Sequence, residues 1–234
     1  MVFEKLEERV IINGTLTLLT PLHIGSPKTE IDLEKVDMPV LKDTQGQPYI
    51  PGSSLKGKIR SEAERIARKE GKTVCTPPNT KKMCGTITPN NLCICCRIFG
   101  TAGENMSVAS KVRFRDAYPH ARVIETMTRA GIAMDRERGV VAQGALYSIE
   151  AIPQGTRFGF EMVTENLAKD EWKLLKAAIN SFADAGLGGS VSRGMGKVKL
   201  DLESASRRTS KFYLGEEKER NLTDEEFKKW WSEI

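Results

Sequence analysis

Histidine is nearly missing from this sequence: His23 and His120 are the only two in 234 residues. A mechanism that needs paired imidazoles or a Ser–His–Asp constellation is therefore hard to assemble, and chemistry falls to carboxylates, cysteines, lysines and arginines. Aromatic residues are scarce as well, at 6%, which argues against a surface that grips nucleic acid mainly by stacking bases. No apolar run approaches the ~20 residues that span a bilayer. The first ten residues, MVFEKLEERV, hold no signal-peptide apolar stretch. The expected location is cytoplasmic, with no membrane partner.

What is present suits a folded protein. Hydrophobic residues make up 39% and charged residues 29%, enough for a packed core. Thirty-six bases against 31 acids give +5, too little alone to diagnose a nucleic-acid binder. The charge is uneven, however. Residues 201–234 carry nine acids and seven bases, which leaves 29 bases against 22 acids, or +7, on residues 1–200.

Periodicity supplies the elements. Val10–Leu19 alternates as a strand around Gly14, and Pro21 stops it. Pro39–Ile50 reads as two short extended pieces with a turn at Asp43–Gly46. Pro51-Gly52-Ser53-Ser54 is a tight turn that ends in a good N-cap. Leu55, Ile59, Ala63, Ile66 and Ala67 then mark an amphipathic helix to about Lys69. Lys111–Arg115, Leu146–Ile152 and Arg157–Val163 read as strands. Trp172, Leu175, Ala178, Ile179 and Phe182 lie on one helix, and Lys197–Leu202 is a closing strand. Thr223-x-x-Glu226 is a capping box for a last helix. The order strand, helix, strands, helix, strand predicts an α+β chain of the split-βαβ, ferredoxin-like kind, the frame of RRM-type RNA-binding modules. It forms one domain over 1–234. Segments at about 74–110 and 126–145 are insertions, and residues 206–234 form a helical tail.

Four features carry chemistry. Ile50–Arg60 (IPGSSLKGKIR) feeds a glycine turn into a helix whose N-terminus favours an anion. Ser53, Ser54, Lys56, Lys58 and Arg60 add donors, and Ser53–Thr73 holds seven bases against three acids. The plain alternative is a capped, solubilising surface helix. Gly186–Val198 (GLGGSVSRGMGKV), with Arg193, suits close backbone approach to a phosphate chain, or a mere connection. All five cysteines fall between Cys75 and Cys96. Cys75, Cys84, Cys93 and Cys96 match a structural zinc set, with Cys95 left over; free thiols or disulfides are the alternatives. In the acidic run Glu30–Asp37, the carboxylates of Asp32, Glu34 and Asp37 can hold a hard divalent cation or act on a ribose hydroxyl, although most loop acids are only solvated.

Six segments in order resemble the RAMP superfamily of CRISPR systems, and most closely the backbone subunit of type III interference complexes. They are PLHIG (21–25), VDMPV (36–40), PYIPGSSLKGKIR (48–60), CICCRIFG (93–100), MDRER (134–138) and GLGGSVSRGMG (186–196). The resemblance implies an RRM-like core with a zinc-bound insertion and a thumb, polymerised as copies of itself into a filament on a guide RNA beside other type III subunits. It implies that target RNA is cleaved by its own 2′-OH, with Mg2+ or another divalent cation and with Asp37 as the catalytic residue. Guide contacts carry over onto His23, Ser53, Ser54, Lys56, Arg60 and Arg193, and Arg136 falls in the thumb. Two other readings stand beside this one: a non-catalytic structural guide-RNA-binding subunit, and a guide-processing endoribonuclease for which His23 is the one candidate base.

Overall fold

The computed structural model describes residues 5–26, 36–77, 79, 82–84, 92–103 and 107–234. Asp32 and Glu34 lie outside these. In chain order the elements are β1 (Glu8–Leu18), α1 (Gly52–Lys69), α2 (Ile94–Phe99), β2 (Thr101–Ala102), β3 (Ser107–Val108), β4 (Val112–Phe114), β5 (Met127–Asp135) and β6 (Val140–Ala151). Then follow β7 (Arg157–Glu165), α3 (Lys169–Ala185), β8 (Val198–Thr209), α4 (Ser210–Tyr213), β9 (Arg220–Thr223) and α5 (Asp224–Glu233). The architecture is mixed α and β. Five strands form one sheet in the order β4-β7-β1-β8-β9, and every neighbouring pair is antiparallel.

β1 is central because it can bury one whole face. Val10, Ile12, Leu16 and Leu18 are all buried, at the period of two that a strand imposes. Gly14 interrupts the row where β1 and β8 slip register by a bulge. A Cβ there would lie 2.4 Å from the Asp201 carbonyl oxygen, so only glycine fits. Leu55, Ile59, Ala63 and Ala67 of α1 pack with Leu175, Ala178, Ile179 and Phe182 of α3 into the same core. Each large apolar side chain buried this way contributes about 1.5–3 kcal/mol. Among the described residues no helix is long and apolar enough to cross a membrane.

Several local expectations change. α1 begins at Gly52 with Pro51 at its N-cap, so Ser53 and Ser54 sit inside the first turn and cap nothing. The Asp116 carboxylate accepts the Gly52 N–H at 2.7 Å instead. Thr223 starts α5 but makes no side-chain cap bond. The closing strand runs on to Thr209, because Arg207 pairs with Glu8 and Arg208 with Glu219 along its polar half. A six-residue helix, α2, stands where the cysteine region lacks a period, and Ile94, Cys95, Ile98 and Phe99 join the main core. Residues 127–151 form a two-stranded hairpin, β5–β6, apart from the main sheet.

Candidate functional site

The base of the β5–β6 hairpin is where three separated segments meet. Residues 37–42 lie along β6. The Met38 N–H donates to the Ser148 carbonyl at 3.0 Å, and the Glu150 N–H donates to the Met38 carbonyl at 2.9 Å. Asp37 is exposed, yet its carboxylate is fixed. Oδ2 accepts the Ser148 N–H at 2.8 Å and the Ser148 hydroxyl at 3.0 Å. The Asp37 N–H lies 2.9 Å from the Ser148 Oγ in turn. These hydrogen bonds orient an acid of a loop at the surface.

Glu150 clamps the same segment from beneath. Its buried carboxylate accepts the Val40 N–H at 2.9 Å through Oε2, and Lys42 Nζ and the Thr126 hydroxyl, both at 2.5 Å, through Oε1. Burial pushes this carboxyl upward, but Lys42, Thr126 and the Val40 N–H outweigh it and hold it below the ordinary carboxylate range. The Glu150 carbonyl takes a 2.8 Å hydrogen bond from His23 Nδ1. A carbonyl only accepts, so Nδ1 carries the hydrogen. His23 is thus a buried wedge, not a surface imidazole. Its own carbonyl accepts the Gly189 N–H at 2.8 Å, which brings the glycine-rich loop to the hairpin. Gly188 has φ +76°, and a Cβ on it would lie 2.3 Å from the His23 carbonyl oxygen. Beside this junction, exposed Arg193 donates to the Tyr147 hydroxyl. Arg129, Ile132, Tyr147, Ser190, Arg193 and Met195 help line a cavity of about 280 Å³ there. Arg136 is exposed in the turn between β5 and β6.

The basic face of α1 divides. Ser53 is exposed, and Ser54 and Lys56 are partly buried. Burial, followed by the nearby Arg60 charge, lowers the Lys56 ammonium. Arg60 turns inward: it donates to Glu64 at 2.9 Å, to the Gly100 carbonyl at 3.1 Å and to Cys96 Sγ at 3.7 Å. Arg60 thereby forms a strut between α1 and α2, the ion pair and the carbonyl bond taking part of the guanidinium's donor set. At the N-terminus of α1 the Asp116 carboxylate accepts the Gly52 N–H.

Cys75, Cys84, Cys93 and Cys96 bring their sulfurs within 4.8 Å of one another. Sγ separations are 3.3 Å for Cys75–Cys96 and 4.0 Å for Cys75–Cys93. Ligands 2.3 Å from a tetrahedral ion lie about 3.8 Å apart, so the set fits one metal. Backbone N–H groups of Cys93 and Cys96 donate to Cys84 and Cys93 sulfurs at 3.3 and 3.4 Å, bonds that favour a thiolate at the acceptor. The Cys96 hydrogen bond pulls Cys93 down to about 4 against its burial. Cys95 is different: burial in the main core pushes its thiol up to about 12.

The profile of the RAMP superfamily matches residues 15–199. The chain belongs to the RAMP superfamily. It is 32% identical over 231 residues to the CRISPR system Cms endoribonuclease Csm3 of Methanocaldococcus jannaschii, covering 94% of this chain and 90% of that one. The Csm3 of Methanothermobacter thermautotrophicus is 28% identical, with 94% and 95% covered. Among solved structures, a chain of a Csm3–Csm4 subcomplex in the type III-A CRISPR-Cas interference complex superposes with TM-score 0.60 at 26% identity, covering 98% and 97%.

Within this RAMP chain, the residues that sequence reasoning missed are Ser148, Glu150, Lys42 and Tyr147, which orient or brace those it found. A buried acid in an otherwise apolar stretch, Ile149-Glu150-Ala151-Ile152, was the available signal. Glu150→Gln is expected to cost about 1–3 kcal/mol at neutral pH, toward the lower end because Lys42 is partly solvated. A lowered pKa adds stability above the unfolded value, near 4.3, that is lost as pH falls through the folded one. The gap between wild type and Glu150→Gln in urea denaturation should therefore be constant from about pH 7 to 5 and close below about pH 4.

Proposed function

We propose that this chain is the guide-RNA-binding backbone subunit of a type III CRISPR effector and that it cleaves bound target RNA. The observation that carries the reading is Asp37: a surface carboxylate that accepts two hydrogen bonds from Ser148, while its own backbone N–H donates to the Ser148 hydroxyl, at the junction of the hairpin and the glycine-rich loop. In the proposed step the target 2′-OH attacks the adjacent phosphorus and the P–O5′ bond breaks. A 2′,3′-cyclic phosphate and a 5′-OH result. Asp37 receives the 2′-OH proton or holds a divalent cation, and the 5′ oxygen takes a proton from water. An ionised, oxygen-donating Asp37 suits Mg2+ or a similar hard cation, which would neutralise charge at the scissile phosphate.

The finer parts of the reading follow the same residues. The antiparallel order β4-β7-β1-β8 is the one a split βαβ unit produces, which supports an RRM-like, ferredoxin-like core. β5–β6 is the thumb and the four-cysteine segment binds structural zinc. The single domain carries both as insertions, at about 126–145 and 74–110; the tail expected over 206–234 is no separate appendage, since 206–209 complete β8 and β9 pairs with it in the main sheet. Ser53, Ser54, Lys56 and Arg193 contact guide phosphates, and Arg136 acts from the thumb. His23 and Arg60 support these groups from behind. Copies of the chain, other type III subunits, guide RNA and target RNA are the partners, in the cytoplasm. A buried His23 that already donates to a carbonyl weighs against guide processing by that imidazole.

RNA held through phosphates gives a sharp test. Lys56→Ala or Arg193→Ala should weaken all RNA sequences alike. The salt dependence should flatten by roughly 0.7 for each phosphate of a single strand that the variant no longer neutralises. Measured by fluorescence anisotropy across a salt series, a weakening that depended on base identity would contradict backbone recognition.

A further inference from the structure

We propose that Tyr118 is a stacking platform for one nucleobase of a single-stranded RNA, in a cavity that neither Asp37 nor α1 reaches. The inference rests on the RNA-binding reading above. Tyr118 is 50% exposed, in a chain where aromatic side chains are few. Its ring stacks on Tyr49, with centroids 5.4 Å apart and planes 16° from parallel. Tyr118, and not Tyr49, lines a cavity of about 330 Å³ with Asp43, Gln45, Gln47, Pro119 and Arg122. Tyr49 therefore braces the ring from outside that lining, and the proposal places a flat ligand on the ring's other face as the third layer of a stack.

The platform is rigid before any ligand arrives. Ala117 exchanges backbone hydrogen bonds with Ile50 at 2.8 and 2.9 Å, the Tyr118 carbonyl accepts the Gly159 N–H at 2.9 Å, and the His120 N–H donates to the Arg157 carbonyl at 2.9 Å. The far wall is fixed too. Gln47 Oε1 accepts the Val123 N–H at 2.9 Å, and its Nε2 donates to the Val123 carbonyl at 3.4 Å. A preformed aromatic surface costs little to order on binding.

The flanks favour a nucleotide over an apolar side chain. Arg122 lines this cavity and also a second one of about 560 Å³ with His120, Glu125 and Arg157. A base on Tyr118 would thus leave its ribose-phosphate at Arg122, with Arg157 beyond. Two acids also line these spaces. Asp43 spends Oδ1 on the Gln45 and Gln47 N–H groups of its own turn, and Glu125 tempers the charge of the second cavity. Stacking, more than charge, is then the source of affinity here.

The test uses the full chain and a uridine RNA of about twelve nucleotides, intact or with abasic sugars, together with the same RNA carrying one 2-aminopurine. Tyr118→Leu should bind the intact RNA roughly tenfold more weakly. Tyr118→Phe should match wild type, and abasic RNA should not distinguish the three. Wild type and Tyr118→Phe should quench 2-aminopurine where Tyr118→Leu does not. Equal affinity of wild type and Tyr118→Leu for intact RNA, or no quenching by wild type, overturns the stacking site and leaves the RNA-binding reading standing. No RNA bound by wild type overturns both. An altered oligomeric state in Tyr118→Leu at unchanged RNA affinity would make this face a protein contact, and the inference would fall.

Discussion

Removing the metal from the four-cysteine site is expected to lower the melting temperature by about 10 °C or more. A structural zinc site contributes its binding free energy to folding, and in a domain of this size each 1 kcal/mol moves Tm by about 2–4 °C. The effect should be large because the site is tied to the core on two sides. α2 carries both Cys93, at its N-cap, and Cys96, while Ile94, Ile98 and Phe99 of the same helix are buried against α1 and α3. Arg60 joins α1 to the Gly100 carbonyl and the Cys96 sulfur. Loosening the cysteines therefore loosens the end of α1 that carries Lys56. Elemental analysis should find one zinc per chain, lost in Cys93→Ser and retained in Cys95→Ala, because Cys95 lies in the apolar core away from the set. A chain that holds less than about a tenth of an equivalent and melts unchanged after chelation would contradict the zinc assignment.

How much of this is legible in the sequence differs by element, for physical reasons. β1, α1 and α3 are plain because each buries one face, and burial writes its period into the side chains. The hairpin is not, because it buries little: Met127, Ile132, Met134, Val140, Val141 and Leu146 are all exposed. With no core to face, its residues need not alternate, and only the half from Leu146 onward reads as a strand. α2 is too short to show a period. β8 hides its second half behind arginines whose partners, Glu8 and Glu219, are distant or follow a turn. At the site, Asp37 and the cysteines are visible as residue types in a suggestive order. Ser148 and Glu150 are not, since nothing local marks a serine as the partner of an acid 111 positions away. At the helix N-terminus the Gly52 N–H is taken by Asp116, a partner that no spacing rule near Gly52 reveals.

The largest expected effect belongs to Asp37. Replacing it by alanine should reduce target cleavage by two to four orders of magnitude, the range that a positioned general base or its equivalent supplies. RNA affinity should be unchanged or slightly higher, because a negative charge near phosphates is removed. Asp37→Asn keeps the shape and loses the charge, so it should fail almost as badly. Ser148→Ala leaves the backbone N–H in place and removes the hydroxyl donor to Oδ2, so it should lie between wild type and Asp37→Ala. The Lys42–Glu150 clamp below the segment is untouched in all three, and their melting temperatures should stay close to wild type.

The most direct measurement is cleavage of a matched target RNA by the assembled complex, wild type against Asp37→Ala, with target affinity measured in parallel and Mg2+ present or chelated. The account predicts that wild type cuts with Mg2+ and leaves 2′,3′-cyclic ends, while Asp37→Ala binds the same target and does not cut. An Asp37→Ala complex that cuts at the wild-type rate would contradict it, and a wild-type complex that binds the target without cutting would make the chain a scaffold.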